Sequence, residues 1–171
     1  MDNYLLTGKS KELLEKSIEL GYSETYFSED FVIVKAASVK ELNSALKKTK
    51  KKVILVPLNE DVLRFAIEKT KIFGVMGLER IHYKDSMHYL RSGIDQIVAK
   101  FMKEKIYFVS LADILSSRNQ ARLMARISAN IMVCKKYKVE VVFSTFASSI
   151  EGMRLAKDME AFGKVIEMKE F

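Results

Sequence analysis

The chain is poor in the residues that usually staple, punctuate or metallate a protein. It has a single cysteine, Cys134, so no disulfide can form within it, and a reducing compartment such as the cytoplasm is expected. One proline and seven glycines in 171 residues exclude a linker-rich or collagen-like chain. The two histidines, His82 and His88, are few for a zinc or two-metal hydrolase, which gathers ligands from several strand ends. No apolar run is long enough to span a membrane, and the opening MDNYLLTGKSKELLEK lacks a signal-peptide core. Neither a Gly-x-Gly-x-x-Gly turn after a β-prone run nor a Walker lysine loop occurs, which removes support for a nucleotide-binding sheet.

What is present is ordinary for one globular domain over 1–171: 49% hydrophobic and 30% charged residues. The charge is unbalanced. A net +7 attracts polyanions, since lysine and arginine neutralise phosphate and release its counterions.

Apolar patterning alternates between two periods. NYLL (3–6), FVIVKA (31–36), VILVPL (53–58), IFGVMG (72–77), RIHY (80–83), IYFVSL (106–111), VEVVFS (139–144) and KVIEM (164–168) read as strands. Between them, the run from residue 9 that contains KELLEKSIEL (11–20), SVKELNSALKK from Ser38, EDVLRFAIEKT after Asn59, and residues 92–105, 116–137 and 150–162 read as helices. Ser38 and Glu41 have capping-box spacing. Strands apolar on both faces and separated by helices imply right-handed crossovers and a parallel sheet. About eight strands predict an α/β fold, a small TIM-barrel-like (β/α) barrel, although this fold commonly needs ~250 residues. A doubly wound open sheet is the alternative.

Few side chains invite catalysis. His82, Asp85 and His88 could supply three metal ligands to a phosphoesterase, or be solvated. Cys134 sits in an apolar helix turn with no histidine nearby to activate it, as a packed cysteine would. Ser144, Thr145 and Ser148 follow a strand without a Gly-x-Ser-x-Gly elbow. They suit phosphate contact beside a helix starting at 149–150, as in an enzyme for a phosphorylated metabolite, while Ser148 or Ser149 could equally cap that helix.

Basic residues concentrate in two places. KKTKKK (47–52) puts five lysines in six positions at a helix end, where the helix dipole also favours them. On the long helix, Arg118, Arg122 and Arg126 recur every four residues and Asn130 continues the row, beside an apolar stripe of Leu123, Ile127, Ile131 and Cys134. No carboxylate within 116–137 lies four residues away to pair with them. The row reads either as a solvated face or as a grip on phosphate, which guanidinium forks match. Lys135, Lys136 and Lys138 extend it, and Arg154 and Lys157 follow on the next helix.

SGIDQIVAKFMKEKIYFVSLADIL (92–115), RNQARLMARISANIMVCKKYKVEVVFSTFASS and EGMRLAKDMEAF (151–162), in that order, resemble the ribonuclease P protein component 3 family, the p30-type subunit. Ser92, Gly93 and Asp95 match its first motif; Ser110, Arg122, Asn130, Lys136, Tyr137, Arg154 and Asp158 match later ones. Lys138 and Phe146 stand where the family carries glycine, Glu140 and Asp113 where it carries proline, and Ser148 where it carries arginine. The resemblance implies a barrel similar to polymerase-and-histidinol-phosphatase domains without their metal site. It also implies a subunit of the ribonucleoprotein that removes the 5′ leader of precursor tRNA. On that reading the chain holds no cofactor and the RNA subunit uses Mg2+. The partners would be ribonuclease P RNA, protein component 2 in a heterotetramer and, indirectly, precursor tRNA, with no membrane. RNA contacts would fall to Arg118, Arg122, Arg126, Asn130, Lys135, Lys136, Lys138, Ser144, Thr145, Ser148 and Arg154.

Overall fold

The computed structural model describes residues 1–167. The chain runs β1 (Asp2–Tyr4), α1 (Lys11–Glu19), β2 (Glu24–Tyr26), β3 (Phe31–Ala36), α2 (Val39–Lys48), β4 (Lys52–Pro57), α3 (Glu60–Lys69) and β5 (Gly74–Met76). A 3-10 turn at Leu78–Arg80 and an irregular stretch follow. Then come α4 (Gln96–Phe101), β6 (Ile106–Ser110), α5 (Leu111–Leu115), α6 (Gln120–Tyr137), β7 (Glu140–Ser144), a 3-10 turn at Ile150–Gly152, and α7 (Ala156–Glu167).

Short polar side chains fix where helices begin, because they satisfy amides that the first turn leaves without partners. Ser10 accepts from the Leu13 amide, Ser38 from Glu41, Asn59 from Val62, Ser110 from Asp113 and Asn119 from Arg122. The Glu41 carboxylate reaches back to the Ala37 amide at 2.8 Å, one residue beyond the usual capping-box partner.

All strand pairing is parallel. β3-β4-β5-β6-β7 form one sheet in sequence order, and β1 and β2 form a second. Period-two alternation then sorts the side chains into two layers. Val53, Leu55, Val75, Tyr107, Val109 and Phe143 pack outward with the helices. Tyr4, Phe31, Ile54, Met76 and Phe108 converge inward, with Tyr26 and Val142 against them, so every described strand contributes to one inner cluster. Phe146 completes that cluster, stacked on Tyr4 at 5.9 Å. The two sheets meet where β1 lies beside β7: Ser144 Oγ accepts from the Tyr4 amide at 2.7 Å, and the Leu6 amide donates to the Ala147 carbonyl at 2.9 Å.

The helix-clad parallel arrangement agrees with the sequence reading; the inventory differs. Seven strands are described, not eight, and their pairing makes two sheets rather than a closed ring. RIHY is not a strand: Arg80 ends the 3-10 turn, and the Glu79 and His82 carbonyls are taken by the Arg126 side chain. KVIEM is helical through Glu167, because Met159, Phe162 and Ile166 keep a helical period onto the core; Met168 lies outside the described residues. β2 went unread because ETY is short and half polar. The 116–137 helix starts later, at Gln120, behind the separate α5.

Packing is tight where β5 crosses β6. A Cβ on Gly74 would come within 2.6 Å of both the Ile106 carbonyl oxygen and the Phe108 ring. Gly74→Ala is expected to lower unfolding free energy by about 1–3 kcal/mol, the cost of overpacking a filled core. Urea melts check this, and a wild-type midpoint would contradict the packing.

Candidate nucleic-acid interface

The arginine row does not stay on one side of its helix. Arg118 precedes α6, and within the helix a step of four residues turns about 40° past a full circle, so the two steps from Arg122 to Asn130 rotate the row by about 80°. Arg118 and Arg122 are exposed, Arg126 is only 4% exposed, and Asn130 is fully buried.

Arg126 points inward onto the segment after β5. Its Nη1 donates to the carbonyls of Glu79 at 2.7 Å and His82 at 2.6 Å. Its Nε and Nη2 donate to Asp85 Oδ1 at 2.9 and 2.6 Å. The other Asp85 oxygen lies 3.2 Å from Arg122 Nε, and the Arg91 amide donates to Oδ1 at 3.0 Å. The ion-pair partner missing within 116–137 therefore comes from 41 residues away. Burial raises the Asp85 carboxyl, but the Arg91 amide and the two guanidiniums outweigh it and hold it below its ordinary value.

One turn further along α6, Asn130 secures the end of the same segment. Its Oδ1 accepts from the Ile94 amide at 3.1 Å; its Nδ2 donates to the Ser92 carbonyl at 2.8 Å and approaches the Tyr107 hydroxyl at 3.2 Å. Tyr107 in turn donates to the buried Glu79 carboxylate at 2.9 Å. Gly93 is required here, since its φ is +96° and a Cβ would sit 2.2 Å from the Leu78 carbonyl oxygen. Asp95 then caps α4 by accepting from Ile97 and Val98. Burial pushes Glu79 above its ordinary value despite the Tyr107 hydrogen bond, and pushes Tyr107 up as well.

Four of the expected RNA contacts are thus corrected. Arg126 and Asn130 are inside, occupied by the 79–95 segment. Ser144 and Thr145 are also buried: both hydroxyls donate to Asn3 Oδ1, at 3.1 and 2.8 Å, and tie β7 to β1. The helix start expected at 149–150 is a single 3-10 turn, and α7 begins at Ala156. Ser144 and Thr145 therefore offer no metabolite site, and the groove of about 420 Å³ near His82, Arg64, Arg91 and Asp95 excludes them from its lining. His82 pairs with Glu60 at 2.9 Å while Asp85 is taken by arginines, so the phosphoesterase trio does not converge.

Exposed candidates fall at two ends. Parallel pairing puts the C-terminal ends of β5, β6 and β7 on one side, so Arg118, Arg122, Ser148 and Arg154 share it. Lys135, Lys136 and Lys138 lie at the far end of α6, about 20–24 Å from Arg122 at 1.5 Å per residue. Lys138 has φ +60° and closes α6 through its amide, which donates to the Cys134 and Lys135 carbonyls. Phe146 has φ +46°. These are the two non-glycine residues with positive φ among the described residues, and both replace glycines of the resembling motif. Both take a backbone conformation that glycine adopts without strain.

The fold and this site define a helix-clad parallel α/β protein in which one helix locks a long irregular segment and presents basic residues at each end. Sequence comparison names the relatives. Ribonuclease P protein component 3 of Methanococcus maripaludis strain C6 is 23% identical over 159 residues, 90% of this chain and 66% of that protein. The strain C7 protein of the same name is 22% identical over the same shares. The chain spans about two thirds of the length of these curated relatives, 66%. A chain in the cryo-EM structure of archaeal ribonuclease P with mature tRNA shares the fold, with a TM-score of 0.66 at 22% identity over 97% of this chain and 72% of that one. No family model matches. The likeness read from the motifs is thus shown: the chain is similar to ribonuclease P protein component 3.

Folded Glu79 keeps its proton to higher pH than the unfolded chain does, so its contribution lowers stability as pH rises above the ordinary 4.5. Asp85 acts in the opposite sense: its stabilisation is present above 3.8 and lost as pH falls. Glu79→Gln is expected to flatten the decline on the neutral side and to raise the melting temperature at pH 7. A decline as steep as in the wild type would contradict the buried carboxyl as its source.

Proposed function

We propose that the chain is the component 3 subunit of a ribonuclease P, the endoribonuclease that removes the 5′ leader of precursor tRNA. In this role it binds and supports the catalytic RNA, and the RNA carries the cleavage chemistry and its Mg2+. Component 2 is the protein partner, in a heterotetramer; precursor tRNA is engaged indirectly, in the cytoplasm. On this reading the two sheets close around their shared inner cluster as a small barrel of TIM type.

One observation carries the reading. Residues that bear the likeness in sequence, Ser92, Gly93, Arg122 and Asn130, are scattered over some forty positions, yet they meet in a single network between α6 and the segment before α4. Similarity that were mere composition would not select the residues that lock one segment.

RNA contacts are assigned to the exposed residues: Arg118, Arg122, Ser148 and Arg154 at one end, and Lys135, Lys136 and Lys138 at the other. Arg122 reaches solvent while keeping Asp85, so it can give one guanidinium edge to a phosphate. The combined substitution Arg118→Ala, Arg122→Ala is expected to make the salt dependence of RNA affinity shallower by about two and to leave the melting temperature within a few degrees. Filter binding to ribonuclease P RNA across a salt series measures the first. Purification from the native cell supplies the wider test: that RNA should come down with the chain, and its absence would reject the assignment.

A further inference from the structure

Twelve of the 29 basic residues lie at the end of the sheet away from Arg118 and Arg122. Four connections enter consecutive strands there, from α2 into β4, α3 into β5, α4 into β6 and α6 into β7. Each one brings lysines: residues 47–52, 69–73, 103–106 and 135–140 hold twelve, against two acids, Glu104 and Glu140. The excess of ten positive charges exceeds the +7 of the whole chain. The same rim turns acidic where β1 and β2 begin, at Asp2 and Glu24, so the basic part is a bounded crescent.

Helix dipoles do not explain it. Their effect fades within the last turn. Lys50, Lys51, Lys71, Lys103 and Lys105 lie beyond the final residues of α2, α3 and α4. Nor do acids neutralise them: the described ion pairs involve Lys11, Lys16, Arg64, His82, Arg122 and Arg126, and none of these five lysines. Lys52, which opens β4, is held over the Tyr26 and Phe73 rings at 4.9 and 4.6 Å from their centroids, so this strand end carries a fixed cation.

We infer that this lysine crescent is a second nucleic-acid surface, one that takes the phosphate backbone of a duplex without reading its sequence. Four adjacent parallel strands span about 15 Å, and a duplex presents about nine phosphate charges over that length. Lysine, a flexible point charge, follows a backbone without fixing register. Dispersal over four connections suits a continuous rod of charge better than a single phosphate group. The identity of the duplex as a helix of ribonuclease P RNA rests on the function proposed above; the phosphate chemistry does not.

The test uses the full chain and a 20-base-pair RNA duplex of arbitrary sequence. One lysine is changed in each connection: Lys50→Gln, Lys71→Gln, Lys103→Gln and Lys136→Gln, all exposed, with far-ultraviolet circular dichroism to confirm folding. Wild type is expected to bind with log affinity falling steeply with log salt, and the quadruple variant to be shallower by about three to four. Its affinity in 0.15 M salt should fall about a hundredfold or more. An unchanged slope overturns the inference. So does wild-type binding to phosphatidylserine vesicles in place of the duplex. Failure here, with ribonuclease P RNA still co-purifying, leaves the subunit assignment standing and removes only this surface.

Discussion

The Arg126 guanidinium, buried beside Asp85, is the contact on which the arrangement of this end of the molecule depends. A buried charge is costly unless every donor is used, and here Nε, Nη1 and Nη2 all find acceptors. Two of those acceptors are main-chain carbonyls and one is a carboxylate, all in a stretch whose one regular element is the 3-10 turn at Leu78–Arg80. One side chain thereby converts an irregular segment into a defined surface. Asn130 repeats the device one turn along, with an amide that both donates and accepts.

This internal bracing explains how a single helix can serve two ends of the molecule. Its inner side fixes the segment that precedes α4. Its exposed flank leaves Arg122 in solvent with one carboxylate already beside it, which keeps the guanidinium oriented without using all its donors. A second concentration of positive charge, twelve lysines, lies at the opposite rim, where the strands begin. Two basic ends separated by the length of α6 are compatible with a protein that spans between parts of a folded RNA rather than one that closes around a small substrate.

Much of the architecture was legible because it is local. Ser38 and Asn59 mark helix starts by themselves, and FVIVKA or IYFVSL could hardly be anything but strands. The errors come from effects that spacing does not encode. A row at every fourth residue looks straight on paper, but the rotation per step carries Arg126 and Asn130 into the core. Asp85 gave no signal, being distant in sequence and set between two histidines that invited a metal reading. Ser144 and Thr145 looked like loop hydroxyls because nothing nearby shows that β1 would lie against them. KKTKKK was visible as a cluster, whereas its continuation through three other connections depends on strand order. The departures at Lys138 and Phe146 are informative for the opposite reason: both fall where this backbone takes a positive φ, the conformation that glycine adopts freely.

Amide hydrogen exchange in Arg126→Ala tests the bracing role most directly. The Arg91 amide, which rests on Asp85, is expected to exchange at least about tenfold faster than in the wild type, while amides of β6 keep their protection, as a locally released segment requires. Unchanged exchange at Arg91, together with a loss of RNA affinity in the same variant, would contradict the account, because Arg126 would then be acting on RNA and not on its own chain.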